Sequence, residues 1–386
     1  MDIFFILLLS FAILLTVLYF ILISSYCYGW LKIKRTVIKN ETAVFVSVII
    51  AARNEEENIV KCLDSILEQS YPENNFEIIV VDDSSTDKTN WLIREYAAKI
   101  SQVRLVTLSE HSKEIGKKNA IRTGVGLAKG ELIVSTDADC VVGVNWLSSI
   151  VSLYAETNAK MIIGPVSFQD EQGVFEKMQS VEFMALVASG GASLYFEKAI
   201  MCNGANLAYT KQVFIDVNGF EGIDEKASGD DVLLMYKIKK RYPEGIKFLK
   251  NEQAIVFTKA KPHLKEFMHQ RRRWASKGFN ALNYETKRVS IVVYLFNLIL
   301  VVLPLLAAVF MRNTALHPSF VKIYLILFGI KCFIDFLLLF LAASFFKKRK
   351  FLIYFLPEQL MYMFYIGFVG SFGAFGKYEW KGRKIN

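Results

Sequence analysis

Gly130-Glu131-Leu132-Ile133-Val134-Ser135-Thr136-Asp137-Ala138-Asp139-Cys140 is an apolar run that ends in two carboxylates one residue apart. A short apolar run bounded by turn residues reads as a buried strand. Two carboxylates left alone at its tip would repel each other, so a positive charge belongs beside them. The upstream sequence repeats the pattern. Residues 46–52 (VSVIIAA) and 76–81 (FEIIVV) are apolar runs, the second ending at Asp82-Asp83-Ser84-Ser85, and residues 103–108 make a further strand. Between them, residues 54–69 put Ile59, Cys62, Leu63, Ile66 and Leu67 on one helical face. Thr86 or Asp87 can cap a helix reaching about Ile100, and residues 117–128 form another. Strands alternating with helices predict an α/β fold with a mostly parallel sheet covered on both faces. Ligands of such sheets bind beyond the carboxyl ends of the strands, so Asp82-Asp83 and Asp137-Asp139 should meet in one cleft. A dinucleotide-binding fold is excluded, because Ala51-Ala52-Arg53-Asn54-Glu55 follows the first strand without a glycine. Gly124, Gly126 and Gly130 fall instead at a helix end before a strand, and there is no Walker-type phosphate loop.

The flanks are of a different character. The 386 residues are 53% hydrophobic, with mean hydropathy +0.31, too apolar for an ordinary soluble protein. No charge occurs between Asp2 and Lys32, a run longer than the roughly 30 Å of a bilayer core requires. The acidic start and the missing small-residue cleavage site favour an uncleaved anchor over residues 1–31. Residues 289–311, 321–346 and 351–376 are three more apolar stretches. The plan is an anchor (1–31), a globular domain (42–260), an amphipathic segment (261–288) and an apolar tail (289–376) of two or three spans. Lys32, Lys34, Arg35 and Lys39 put the globular domain on the cytoplasmic side of the membrane, as for a bacterial inner-membrane protein. Lys347, Lys348, Arg349 and Lys350 agree if the next two stretches form a hairpin. A fourth full span would export Lys377, Lys381, Arg383 and Lys384, so the last stretch, which holds Pro357 and Glu358, is either re-entrant or an exception. Lys331 and Asp335, an i, i+4 pair in an apolar stretch, would suit a transporter, but a self-neutralising pair reads better as structural.

Cys27, Cys62, Cys140, Cys202 and Cys332 form no CxxC pair and fit a reduced compartment. The formal charge is +9, and residues 261–288 alone hold eight lysines and arginines against two glutamates. That local excess suits anionic headgroups or phosphates; no nucleic-acid-binding motif accompanies it.

Chemistry attaches to six places. Asp137 and Asp139 can share Mg²⁺ or Mn²⁺, hard cations that keep substrate phosphates in their shell. Asp83 can accept from a base N–H, although Asp-Ser-Ser-Thr-Asp is also ordinary turn chemistry. Lys117 after Gly116 can meet a phosphate or simply start a helix, and Glu55 can be a first-turn residue. Gly229-Asp230-Asp231 precedes an apolar run; its carboxylates can cap a helix or supply a general base. Gln270, Arg273 and Trp274 share a helical face, and Leu264, Phe267, Met268, Trp274, Phe279 and Leu282 make an apolar stripe, as in a helix lying on a membrane.

Together, residues 48–56 (VIIAARNEE), 81–87 (VDDSSTD), Asp137-Ala138-Asp139, Asp230-Asp231 and Gln270–Trp274 resemble membrane-integrated family 2 glycosyltransferases in order and spacing. Synthases of poly-N-acetylglucosamine, cellulose and hyaluronan, and ceramide-type glucosyltransferases, share the pattern. The resemblance covers roughly residues 45–280. It implies a GT-A fold and inverting transfer from a nucleotide sugar, usually UDP-linked. By position it gives Asp83 the uracil, Arg53, Glu55 and Lys117 the nucleotide, Asp137 and Asp139 the nucleotide and metal, and Asp231, beside Asp230, the base. Gln270, Arg273 and Trp274 would meet diphosphate and acceptor, and Cys202-Asn203-Gly204 an acceptor-facing loop. Where the family often has Thr-Glu-Asp this chain has Gly-Asp-Asp: the last carboxylate is kept, and the shorter one before it reshapes the acceptor side. A membrane lipid or lipid-linked glycan is the expected acceptor, because few spans follow the globular domain. A processive polysaccharide synthase is the alternative. A non-catalytic scaffold would have lost these carboxylates.

Overall fold

The computed structural model describes the chain except residues 1, 40–43, 113–114, 225–228, 276–280, 311–316, 373–377, 381–382 and 386. In chain order, helix α1 (Asp2–Lys32) precedes β1 (Val46–Ala52), α2 (Ile59–Leu67), β2 (Phe76–Asp82), α3 (Thr89–Lys99), β3 (Val103–Thr107) and a short α4 (Leu108–His111). There follow α5 (Lys117–Leu127), β4 (Leu132–Asp137), β5 (Val141–Val142), α6 (Trp146–Thr157), β6 (Met161–Ile163), β7 (Val166–Gln169) and α7 (Val174–Tyr195). Next come β8 (Leu207–Thr210), α8 (Lys211–Asp216), α9 (Asp230–Arg241), β9 (Ile246–Phe248) and β10 (Val256–Lys259). Helices α10 (Leu264–Ala275), α11 (Tyr284–Phe310), α12 (His317–Phe345) and α13 (Phe355–Phe372) follow.

These elements make two compact units. The first is 33–171 with 197–260 and 377–386; the second is 1–32 with 172–196 and 261–376. In the first, a seven-stranded sheet runs β3-β2-β1-β4-β8-β6-β9. Strands β1–β4 are mutually parallel, and β8 runs antiparallel to both β4 and β6. The near-continuous Val/Ile composition of β1 and β2 follows from burial on both faces. A Cβ at Gly124 would stand 2.7 Å from Ile49 Cγ2, and one at Gly130 2.5 Å from Ser47 N, so both are close-packing positions. A second sheet, β5-β10-β7, lies in the same unit.

The helix expected from residue 54 begins at Ile59. Asn54 is left-handed (φ 50°) and Glu55 O accepts from Asn58 N and Ile59 N, so 55–58 is a turn. Neither Thr86 nor Asp87 occupies the cap position of α3, which is Lys88; Asp87 Oδ1 nevertheless accepts from Thr89 N at 3.0 Å.

Among the described residues of the second unit, four helical stretches are long and apolar enough to cross a membrane: Ile6–Lys32, Tyr284–Val309, Phe320–Phe345 and Arg349–Phe368. The expected single block 42–260 is corrected, because α7 belongs with these helices. Gly29 lets α1 approach α7, where a Cβ would lie 2.5 Å from Ala192 O. The first tail helix starts at Tyr284, five residues before the expected 289. Lys331 is fully buried and donates to Asp335 Oδ2 at 2.7 Å and to Gln359 Oε1. Tyr19 OH donates to Asp335 Oδ1 at 2.7 Å, so the pair ties α1, α12 and α13 together.

On α10 the apolar and basic residues divide unevenly between surface and interior. Leu264 is 61% exposed, whereas Arg271 is 1% exposed and bonds Glu182 Oε2 of α7 at 2.6 Å. The Arg271 guanidinium also lies 4.7 Å from the Phe267 ring and 4.2 Å from the Trp274 ring. Phe279 lies outside the described residues.

Candidate active site

Parallel register brings the polar residues of the first unit to one edge of the sheet. Ala52 pairs with Asp82 and Ala51 with Asp137, so β1, β2 and β4 end in one row. The loops beyond β1 and β2 are laced together. Arg53 Nη1 donates to Asp83 O (2.6 Å) and Ser84 O (2.7 Å), Asn54 N to Ser85 Oγ (3.0 Å), and Thr86 N to Asn54 Oδ1 (2.8 Å). Buried Glu55 holds its place through its N–H to Thr89 Oγ1 (2.7 Å) and accepts from Asn58 Nδ2 (2.8 Å). Asp82 is a turn carboxylate, accepting from Ser85 N and Asn90 Nδ2. Asp83, 1% exposed, accepts from Gly116 N at 3.1 Å. At φ +115° Gly116 takes a backbone conformation that side chains disfavour, and it leads straight into Lys117 at the start of α5.

Lys117 of α5 joins carboxylates of two other elements. Its Nζ lies 2.6 Å from Asp137 Oδ1 at the end of β4 and 3.4 Å from Asp230 Oδ2 at the start of α9. Burial alone would lower its pKa; Asp137, Asp230 and Asp231 more than reverse that and keep it charged. This is the positive charge that the sequence required. Gly204 closes the cluster: a Cβ there would stand 3.4 Å from Lys117 Nζ and 3.5 Å from Asp231 Cβ. Asp231 Oδ2 accepts from Gly204 N at 3.1 Å and Oδ1 from Val232 N at 2.7 Å. Asp230 and Asp231 thus sit in the first turn of α9, where the helix dipole favours negative charge.

Carboxylate oxygens of Asp137 and Asp139 and the Cys140 Sγ lie within 4.8 Å of one another, close enough to surround one ion. Burial, then Asp139 and Asp137, push the Cys140 thiol well up. The set fits a hard divalent cation.

Asn206 is a centre that sequence reasoning missed. It is 1% exposed; Oδ1 accepts from Trp146 Nε1 (3.0 Å) and Nδ2 donates to Pro165 O (2.8 Å) and Ala254 O (2.9 Å). Its backbone N–H bonds Asn203 O at 3.1 Å, and Asn203 Oδ1 accepts from Ala205 N at 3.0 Å. Residues 202–204, with Cys202 buried, are therefore held from behind. No motif marks Asn206; the nearest signal was its place just after Asn203-Gly204.

A family model for glycosyl transferase family 2 matches residues 47–217. The chain carries a family 2 glycosyltransferase domain. The match takes in Arg53, Glu55, Asp83, Lys117, Asp137, Asp139 and 202–204 and stops before Asp230. Glycosyltransferase AglE of Haloferax volcanii is 30% identical over 193 residues, covering 50% of this chain and 60% of that one. Beta-monoglucosyldiacylglycerol synthase of a Nostoc species is 26% identical over 242 residues, 61% of this chain and 49% of that one. The chain thus spans about half to three-fifths of these curated relatives. The mannosyltransferase PcManGT of Pyrobaculum calidifontis, solved with GDP-Man and Mn²⁺, shares the fold. It aligns over 92% of this chain and 99% of its own, with a TM-score of 0.57 and 22% identity.

Gln270, Arg273 and Trp274 are not in the unit that holds the glycosyltransferase domain's carboxylates; they belong to the apolar one. There Trp274 faces Phe183 at 6.2 Å, and Gln270 Oε1 is buried with no hydrogen-bond partner among the described residues.

Proposed function

We propose that this chain moves a sugar from a nucleotide donor, UDP-linked, to a hydroxyl of a membrane lipid or lipid-linked glycan, with inversion. The observation that carries the proposal is Lys117 set between Asp137 and Asp230, with Asp231 beside them, beyond the carboxyl ends of the sheet. Asp231 takes the acceptor's hydroxyl proton; the backbone N–H groups of Gly204 and Val232 hold its two oxygens in place. The freed oxygen forms its bond to the anomeric carbon as the bond to the nucleoside diphosphate breaks. Lys117 meets the departing diphosphate, while Asp83, Arg53 and Glu55 hold the nucleoside side. Asp137 and Asp139 would hold a divalent ion, which when bound offsets diphosphate charge. Mn²⁺ in the Pyrobaculum protein supports that assignment. For Gln270, Arg273 and Trp274 the acceptor-side role rests on the family resemblance alone. Four apolar helices and the Nostoc relative's glycolipid product support a lipid acceptor.

The test is the purified chain in nanodiscs with radiolabelled UDP-glucose, UDP-N-acetylglucosamine or GDP-mannose, Mn²⁺ or Mg²⁺, and membrane lipid extract. A single-sugar lipid made from a UDP donor is expected, and Asp231→Asn should bind UDP but transfer nothing. Transfer at near-normal rate by that variant would remove Asp231 from the role. A ladder of polymer would replace the lipid acceptor with a growing glycan, and use of GDP-mannose alone would replace the donor.

A further inference from the structure

Asp137 is asked to serve two cations. Its Oδ1 holds the Lys117 ammonium at 2.6 Å, and its carboxylate is also one of the three groups that lie within 4.8 Å of one another around the candidate metal position. Lys117 has little freedom to leave. Asp230 Oδ2 also lies 3.4 Å from its Nζ, and its side chain is only 23% exposed. Gly116 fixes its root, anchored to Asp83 through a 3.1 Å bond. A divalent ion arriving alone meets an acidic cluster already partly neutralised, with a positive charge within contact distance of its ligand. A nucleoside diphosphate changes the balance, because its oxygens give the ammonium a new partner and give the ion further ligands.

We propose that Lys117 is a resident counter-cation that disfavours binding of the bare metal and thereby makes metal entry depend on the nucleotide diphosphate. The donor and metal then enter as a pair, and stray divalent ions are kept off Asp137 between turnovers. This rests on the nucleotide-sugar reading above. It adds to it a role for Lys117 in metal selection that phosphate contact alone would not give.

Binding of Mn²⁺ to the full chain in nanodiscs, followed by the loss of the free-ion electron paramagnetic resonance signal, tests it with no turnover needed. The comparison is wild type, Lys117→Gln, Lys117→Met and Lys117→Arg, each with and without UDP. Removing a cation in contact with the ligand should tighten Mn²⁺ alone by about tenfold or more in the Gln and Met variants, since one adjacent charge shifts ionic equilibria by one to three decades. The factor by which UDP tightens Mn²⁺ should shrink in both, and by reciprocity so should the factor by which Mn²⁺ tightens UDP. Lys117→Arg should keep the wild-type pattern. Gln retains hydrogen bonding and volume, so it stands if Met leaves the acidic pair too unbalanced to fold. Mn²⁺ alone bound no more tightly by a folded Gln or Met variant than by wild type would overturn the proposal while leaving the glycosyltransferase reading intact. Mn²⁺ that binds none of the four, even with UDP, would overturn both.

Discussion

Asn206→Leu keeps the side chain's size and removes its polar atoms. Three buried groups then lose their partner: Trp146 Nε1, Pro165 O and Ala254 O. Trp146 and Ala254 are fully buried and Asn206 is 1% exposed, so water cannot replace the bonds without opening the fold. Each stranded group costs about 1–3 kcal/mol. Shared geometry makes the three non-additive, and a total of about 3–6 kcal/mol is expected. For a unit of this size that is roughly 6–24 °C in unfolding midpoint. Trp146→Phe strands only Asn206 Oδ1 on the polar side and should lose about 1–3 kcal/mol from that bond. The double variant should lose clearly less than the two singles summed, because both delete the same bond. The assay is thermal unfolding in one detergent, followed by tryptophan fluorescence for Asn206→Leu and by a dye-based signal for variants lacking Trp146. Melting of Asn206→Leu within 2 °C of wild type would refute the idea that Asn206 ties the two sheets to the loop at 202–204.

Two further outcomes follow from buried charge. Arg271→Met leaves Glu182 uncompensated in the apolar unit and should destabilise by about 3–5 kcal/mol, seen as lost folded yield, whereas Arg271→Met with Glu182→Gln should recover most of it. Equal yields for the single and double variants would deny the pairing. Burial, and then Arg35, lower the Lys250 ammonium to about 8. An unfolded lysine titrates near 10.4, so between about pH 8 and 10.4 the unfolded chain binds the extra proton. Stability should therefore rise with pH across that window, by at most about 1.4 kcal/mol per pH unit, and fall no further below it from this group. Lys250→Met should flatten the slope of unfolding midpoint against pH; identical slopes would clear Lys250 of the effect.

The parallel half of the catalytic sheet was legible because β1, β2 and β4 are continuous apolar runs with polar ends, and their ends are where the acids are. Asp137 with Lys117 was legible as a need for charge and as a candidate cation, but not as a pair, because twenty residues separate them in sequence and a helix start brings them together. Strand β8 was not, since Leu207–Thr210 is four residues long and its partners β4 and β6 are distant. Helix α7 was missed because Gln179, Ser180 and Glu182 interrupt its apolar face; they are buried against partners such as Arg271 and the Lys261 backbone, which composition does not reveal. The burial of Arg271 was not legible for the same reason: its partner Glu182 lies 89 residues away in sequence. Asn206 had no sequence signature at all, since its role is fixed by three backbone and side-chain partners from remote segments.

The excursion of residues 172–196 has a consequence for synthesis and for engineering. Strand β8, which bridges β4 to β6, leaves the ribosome only after α7 has done so. Nascent β1 to β7 must wait, with the β4 edge uncapped, until a helix destined for the apolar assembly has passed. Amputating the first and last helices to isolate the first unit would strip α7 of its companions while keeping it covalently in the middle of that unit's sequence. A deletion joining residue 171 to 197 by a short flexible linker is the truncation that respects this weaving.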